Sequence, residues 1–135
     1  MATTTRAALI ATPFVLLAIG LIVASIIRGH PIDKRDLADL YGCYTIENQQ
    51  LFRLTPDALV TPLQAVTFTA RQGKYHAYLD LARPMRLVRR GAMLSFDPSP
   101  EPTGPIEVRQ STPRALLLPS ANGPPILALR SECRP

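Results

Sequence analysis

The chain has 135 residues, enough for one domain, with 47% apolar residues and a formal net charge of +5. The apolar residues are concentrated: Ala7–Ile27 holds 17 of them in 21 positions and carries no charge. These figures exclude wholesale disorder, a coiled coil, a multi-span membrane protein and a large enzyme with separate cofactor and substrate domains.

Residues 1–6 form a short tail. As a helix, residues 7–27 would rise about 31 Å at ~1.5 Å per residue, close to the hydrocarbon thickness of a bilayer. Pro13 falls in the first third, where a membrane helix tolerates a kink. A cleaved secretory signal is the competing assignment. Its apolar core would run only ~7–15 residues behind a basic n-region. The tail MATTTR supplies only Arg6. An uncleaved single-pass anchor is therefore expected. Within it, Gly20 and Ala24 make a small-xxx-small step, and Ala11 and Ala18 lie seven apart. Small residues at such spacing admit a partner helix at close range.

Two signals disagree on orientation. Arg28, Lys34 and Arg35 follow the run, against Arg6 before it, and the positive-inside rule then leaves the C-terminal part in the cytoplasm. The two cysteines point outward. Cys43 and Cys133 stand near the ends of the remaining chain. A disulfide between them would close a loop of about 90 residues, worth roughly 4.5 kcal/mol in the chain-entropy model. Such a bond needs an oxidising compartment. The conflict stands, and the expectation follows the cysteines: inner membrane, single pass, C-terminal domain periplasmic, with a cytoplasmic domain as the alternative.

Residues 28–42 read as a juxtamembrane linker and a short helix. Asp33 is the N-cap, Asp36 an imperfect capping box, and Ile32 and Leu37 a hydrophobic staple. Leu37, Leu40 and Tyr41 make its apolar face, Gly42 its stop, and the helix is expected to plug one end of the domain. Beyond it, 13 of the 14 prolines lie after residue 27 and argue against long helices. Residues 43–135 then read as an all-β domain of about eight short strands, an antiparallel meander barrel or sandwich. The expected strands are 43–47, 51–55, 63–70, 74–81, 85–89, 92–96, 106–109, 114–118 and 126–130. The pair 85–89 and 92–96 makes a hairpin turning at Arg90-Gly91. Asp97–Pro105 is a Pro-rich loop. The stretch Leu40-Tyr41-Gly42-Cys43-Tyr44, followed by Leu51-Phe52-Arg53-Leu54-Thr55-Pro56-Asp57, resembles the first hairpin of many small meander barrels in bacterial envelope proteins. Ala58 departs from it, standing where a turn glycine is usual.

Catalytic and metal chemistry find little support. Cys43 and Cys133, and His30 and His76, are too far apart in sequence for the usual close ligand pairs of a zinc site. His76 and Asp80 would share a strand face about 13 Å apart at ~3.3 Å per residue, beyond direct bonding. Lys74, His76, Tyr78 and Asp80 read as the wet face of a strand whose other face is Tyr75, Ala77, Leu79 and Leu81. There is no phosphate-binding glycine loop and no nucleophile motif. No cofactor and no metal are expected, and no enzyme.

The basic residues are more suggestive. Arg83, Arg86, Arg89 and Arg90 cluster around the hairpin, and arginine's planar fork suits phosphate and carboxylate. They are the candidate contact for an anionic partner, including anionic lipid. The absence of Trp and the scarcity of interleaved aromatics argue against nucleic acid. The expected function is a membrane-anchored envelope protein, acting as a non-catalytic binding module or accessory subunit of a membrane complex. Its partners would be the bilayer and a membrane protein. The alternative is a barrel binding a small apolar ligand among Tyr44, Phe52, Phe68 and Tyr75.

Overall fold

The structure, a computed structural model, describes residues 29–110 and 113–135. The proposed anchor, with Ala11, Ala18, Gly20 and Ala24, lies outside the described residues. Among those residues no helix is long and apolar enough to cross a membrane. Pro31–Pro135 forms one compact unit.

The unit begins with a cap. The Asp33 carboxylate accepts the Arg35 N–H at 3.0 Å and starts a 3₁₀ helix, Lys34–Leu40. The expected helix is present but wound more tightly than an α-helix, and it is kinked at Leu37, where φ is −103° and ψ 16°. With about three residues per turn, side chains three apart eclipse. Leu37 and Leu40 therefore point the same way, and both are buried.

Twelve strands follow the chain: β1 (His30–Pro31), β2 (Gly42–Ile46), β3 (Gln49–Leu54), β4 (Leu59–Val60), β5 (Ala65–Val66), β6 (Phe68–Gln72), β7 (Ala77–Leu81), β8 (Met85–Arg90), β9 (Met93–Pro98), β10 (Ile106–Arg109), β11 (Ala115–Leu118) and β12 (Ile126–Ser131). Ten form one sheet in the order β1-β6-β7-β10-β11-β12-β2-β3-β4-β5, while β8 and β9 pair with each other. From β6 round to β5 every pairing is antiparallel. The sheet is curled. β5 ends the order and β6 stands next to its other end, yet only Thr67 separates them in sequence.

Three strand expectations change. Residues 63–70 are not one strand: β5 pairs with β4, β6 pairs with β7, and the chain turns a corner at Thr67. The strand expected over 74–81 begins only at Ala77, which leaves Tyr75 77% exposed and off the apolar face. The β8–β9 hairpin turns at Gly91-Ala92, one residue later than expected, because Arg90 pairs with Met93. Gly91 takes φ 62°, a value glycine adopts without penalty.

The core fills the curl. Alternation sends Tyr44, Phe52, Leu54, Phe68, Leu79, Val108, Leu116 and Leu118 inward. The helix contributes Leu37 and Leu40 near Gln72, Ala77 and Arg114, and the hairpin contributes Met85, Leu87, Leu94 and Phe96 beside Gln49. One aromatic run links these two plugs. The Tyr44 hydroxyl donates to the Leu40 carbonyl at 2.6 Å. Its ring stacks on Phe52 at 5.3 Å, and Phe52 packs on Phe96 at 5.5 Å. Burial pushes the Tyr44 phenol up to about 12, because the phenolate would have to sit in the apolar interior.

Cys43 and Cys133 are paired as a disulfide, with Cα atoms 5.1 Å apart across 90 residues. The bond pins the tail beyond β12 onto β2. Arg134 strengthens the seam, its N–H donating to Gln50 Oε1 at 2.8 Å and its guanidinium to the Asn48 carbonyl at 2.9 Å.

Two stability measurements check this account. Replacing both cysteines by alanine should lower the unfolding free energy by roughly 4.5 kcal/mol, read from urea midpoints of the oxidised parent and the variant. For Tyr44, the folded phenol titrates above the unfolded one. Its contribution is fully present below pH 10 and is lost as pH rises toward about 12. In that window the parent should lose about 1.4 kcal/mol more per pH unit than Tyr44→Phe. Parallel pH profiles for the two proteins would refute the burial argument.

Candidate interaction surface

The β8–β9 hairpin carries most of the predicted basic cluster, and its pleat divides that cluster. Register puts Met85, Leu87 and Arg89 on the face that meets the core, with Arg86, Val88 and Arg90 on the other. Arg89 lies beyond the apolar part of its face and reaches the β2–β3 turn. There it grips Glu47 with two hydrogen bonds, Nη2 to Oε1 at 2.8 Å and Nη1 to Oε2 at 3.1 Å. Arg90 lies 3.3 Å from Asp97. Arg86 stands directly across from Asp97, and its Nε is buried with no hydrogen-bond partner among the described residues. Arg83 sits in the β7–β8 turn beside the Pro-rich loop. The four arginines therefore do not make one continuous patch.

Glu47 and Asn48 form the two-residue β2–β3 loop, at φ 52° and 62°. Left-handed backbone at both positions is the hairpin geometry whose twist matches the strands. Asn48 adopts it readily; a glutamate does so less readily. The Arg89 hydrogen bonds hold the Glu47 carboxyl below the usual carboxylate range.

Gln49 follows at once and acts as a clip. Its carboxamide donates to the Ala92 carbonyl at 2.7 Å and accepts the Leu94 N–H at 2.8 Å. One side chain thus stands in for a paired strand along the outer edge of β9. It fixes the hairpin tip against β3.

Between the clip and the β4–β5 turn lies a groove of about 440 Å³. Its walls are Gln49–Leu51, Thr61–Leu63 and Met93–Asp97. The turn is self-bonded: Thr61 N–H donates to the Gln64 carbonyl at 2.8 Å, and Thr61 Oγ1 accepts the Gln64 N–H at 3.2 Å. Pro62 sets the second turn position, where proline's fixed φ fits. The turn holds Leu63 out at 85% exposure, and Met93 projects from the hairpin tip at 69%. Two large apolar side chains thus flank one groove whose floor includes the buried Leu51, Leu94 and Phe96. Leu63 was expected inside a strand, and nothing in the local pattern foretells its exposure.

Several polar residues of the sheet pair with one another. His76 does not meet Asp80: its Nε2 lies 3.2 Å from Glu107 on β10, and Asp80 bonds Arg71 at 2.8 Å. Asp39, at the helix end, accepts Arg114 Nε at 2.6 Å on its carboxylate and an Arg130 N–H on its carbonyl. These line a shallow depression of about 850 Å³ with Gln110 and Ser131. Pairs separated by 75 and 91 residues leave no trace in the sequence pattern. Among the described residues no three His, Cys, Asp or Glu side chains come together as a metal site would need.

No protein-family model matches this chain, and no curated protein or solved structure matches it either.

Gln49→Ala should speed amide exchange at Leu94 while leaving core amides such as Leu116 slow, read by hydrogen–deuterium exchange. Arg89→Ala should return the Glu47 carboxyl toward its ordinary titration range, followed by side-chain carboxyl NMR. An unmoved Glu47 would mean that the ion pair does not set its acidity.

Proposed function

We propose that this chain is a non-catalytic binding module held to the inner membrane by residues 7–27, with its β-domain periplasmic. The domain is read as a closed meander barrel acting as an accessory subunit. The anchor would pack against a partner helix through Ala11, Ala18, Gly20 and Ala24. The observation that carries the reading is the apolar groove between Leu63 and Met93 on a domain whose interior is packed with its own side chains. Apolar surface gathered around one groove, with polar neighbours at its rim, is the usual mark of an interaction site. The disulfide supports an oxidising compartment and hence the outward orientation.

The same packing weakens the small-ligand alternative. Of the four residues that would line its pocket, Tyr44, Phe52 and Phe68 are consumed in the core and Tyr75 faces solvent.

The test is thiol labelling of intact spheroplasts with a membrane-impermeant maleimide, read as a gel shift. Cys43 and Cys133 should label only after an impermeant reductant. Thiols that stay closed to the maleimide until lysis, yet label then without any reductant, would reverse the topology. Co-purification of a larger membrane protein in mild detergent, lost in Leu63→Asp, would support the accessory role. Recovery of the chain alone with a bound small molecule would overturn it.

A further inference from the structure

We propose that Asn122-Gly123, in the loop between β11 and β12, is a self-modifying site, where the asparagine loses its amide nitrogen and leaves a carboxylate without the help of an enzyme. The Gly123 backbone nitrogen gives its proton to water or hydroxide and attacks the Asn122 Cγ. A bond from that nitrogen to Cγ forms, the bond from Cγ to the amide nitrogen breaks, and ammonia leaves. A cyclic imide remains, and water opens it at either carbonyl. One opening gives aspartate. The other gives isoaspartate, whose main chain runs through the side-chain carboxyl. The sum is one water consumed and one ammonia released. Features of the loop favour the step. Both residues are exposed, so water reaches the imide. Among the described residues neither the Asn122 carboxamide nor the Gly123 N–H makes a hydrogen bond; the bond at this pair is the Ser120 hydroxyl donating to the Asn122 carbonyl at 3.3 Å. Gly123 takes φ 99° and has open space where a side chain would stand. Without a Cβ its nitrogen is uncrowded and its backbone can turn toward the amide. The chain's other asparagine lacks these features. Asn48 is followed by Gln49, which pairs with Ile46 in β3 and is fixed to the hairpin by its carboxamide. Asn122 and Arg89 line one hollow of about 380 Å³, so the new charge arises beside a hairpin arginine.

The test incubates the folded full-length chain, in mild detergent, at neutral and mildly alkaline pH in heavy-oxygen water. Isoelectric focusing and peptide mass spectrometry then follow the products. Arg114 and Arg130 release Asn122 on one tryptic peptide, apart from Asn48. That peptide should exchange its amide for an acid carrying one heavy oxygen, and the intact chain should shift by one acidic band. Two isomeric products should separate, one of them a substrate for an isoaspartyl methyltransferase. The rate should rise with pH, because the attacking nitrogen must shed its proton, while the Asn48 peptide keeps its amide. Asn122→Gln, a change at an exposed position, should abolish the new band. If the Asn122 peptide keeps its amide in the folded chain and loses it only in urea, the native loop forbids the attack and the proposal is overturned. Conversion no faster than at Asn48, or to aspartate with no isoaspartate, would overturn it as well.

Discussion

The pairing of the last strand, β12, with β2 is the constraint on which the rest of the structure depends. β12 lies against β2 through Leu129–Thr45, Arg130–Tyr44 and Ser131–Cys43. Without that seam the sheet would fall into two parts, β1-β6-β7-β10-β11-β12 and β2-β3-β4-β5, and the inward side chains of each would lose their neighbours across it. Bringing residues so distant in sequence together costs loop-closure entropy before any contact repays it. The disulfide sits at the end of this seam and reduces that cost by constraining the unfolded chain. Arg130 extends the seam to the helix by donating to the Asp39 carbonyl, so the plug at one end is tied to the closing strand. A domain of this size has a limited core, and these crosslinks secure what burial alone would hold less firmly.

The curl of the sheet also bears on where function is to be sought. The curl is narrow, and its two ends are stopped by unlike devices, a 3₁₀ helix and a β-hairpin. Both insert leucine, methionine or phenylalanine into a common core. The chain from Leu40 through Tyr44 and Phe52 to Phe96 spans that core from one plug to the other. Among the described residues these side chains fill the interior. On the surface the ion pairs Arg71–Asp80, Arg89–Glu47 and Arg114–Asp39 satisfy charges locally.

The legibility of the sequence follows the range of each interaction. Strands with clean alternation and turn punctuation could be read closely: Ile106–Arg109 occupies the bounds its pattern predicts, and the β8–β9 hairpin is misplaced by a single residue at its turn. The cysteine pair was readable because only two cysteines exist. The two-residue strands β4 and β5 were not, because two residues show no period; their pairing comes from the sheet edge they complete. The helix was visible as a capped apolar segment, but its 3₁₀ winding was not. That follows from two leucines three apart facing one cavity. The arginine cluster was visible as composition, whereas its division between two faces and two carboxylates depended on register. The Gln49 clip joins residues 43 and 45 apart and could be seen only in three dimensions.

Leu63 and Met93 are among the large apolar side chains that folding leaves exposed. A single exposed leucine or methionine is ordinary on any protein surface. Here the two stand 30 positions apart in sequence and on different elements, yet they line one groove. Leu63 stands on the self-bonded Thr61–Gln64 turn, and Met93 lies between Ala92 and Leu94, the two residues that the Gln49 carboxamide bonds. A small domain gains stability by burying apolar side chains, at about 25 cal/mol per Å² of apolar surface. Leaving two of its larger ones in solvent forgoes that gain. Two such side chains around one groove are why it stands at the centre of the candidate site.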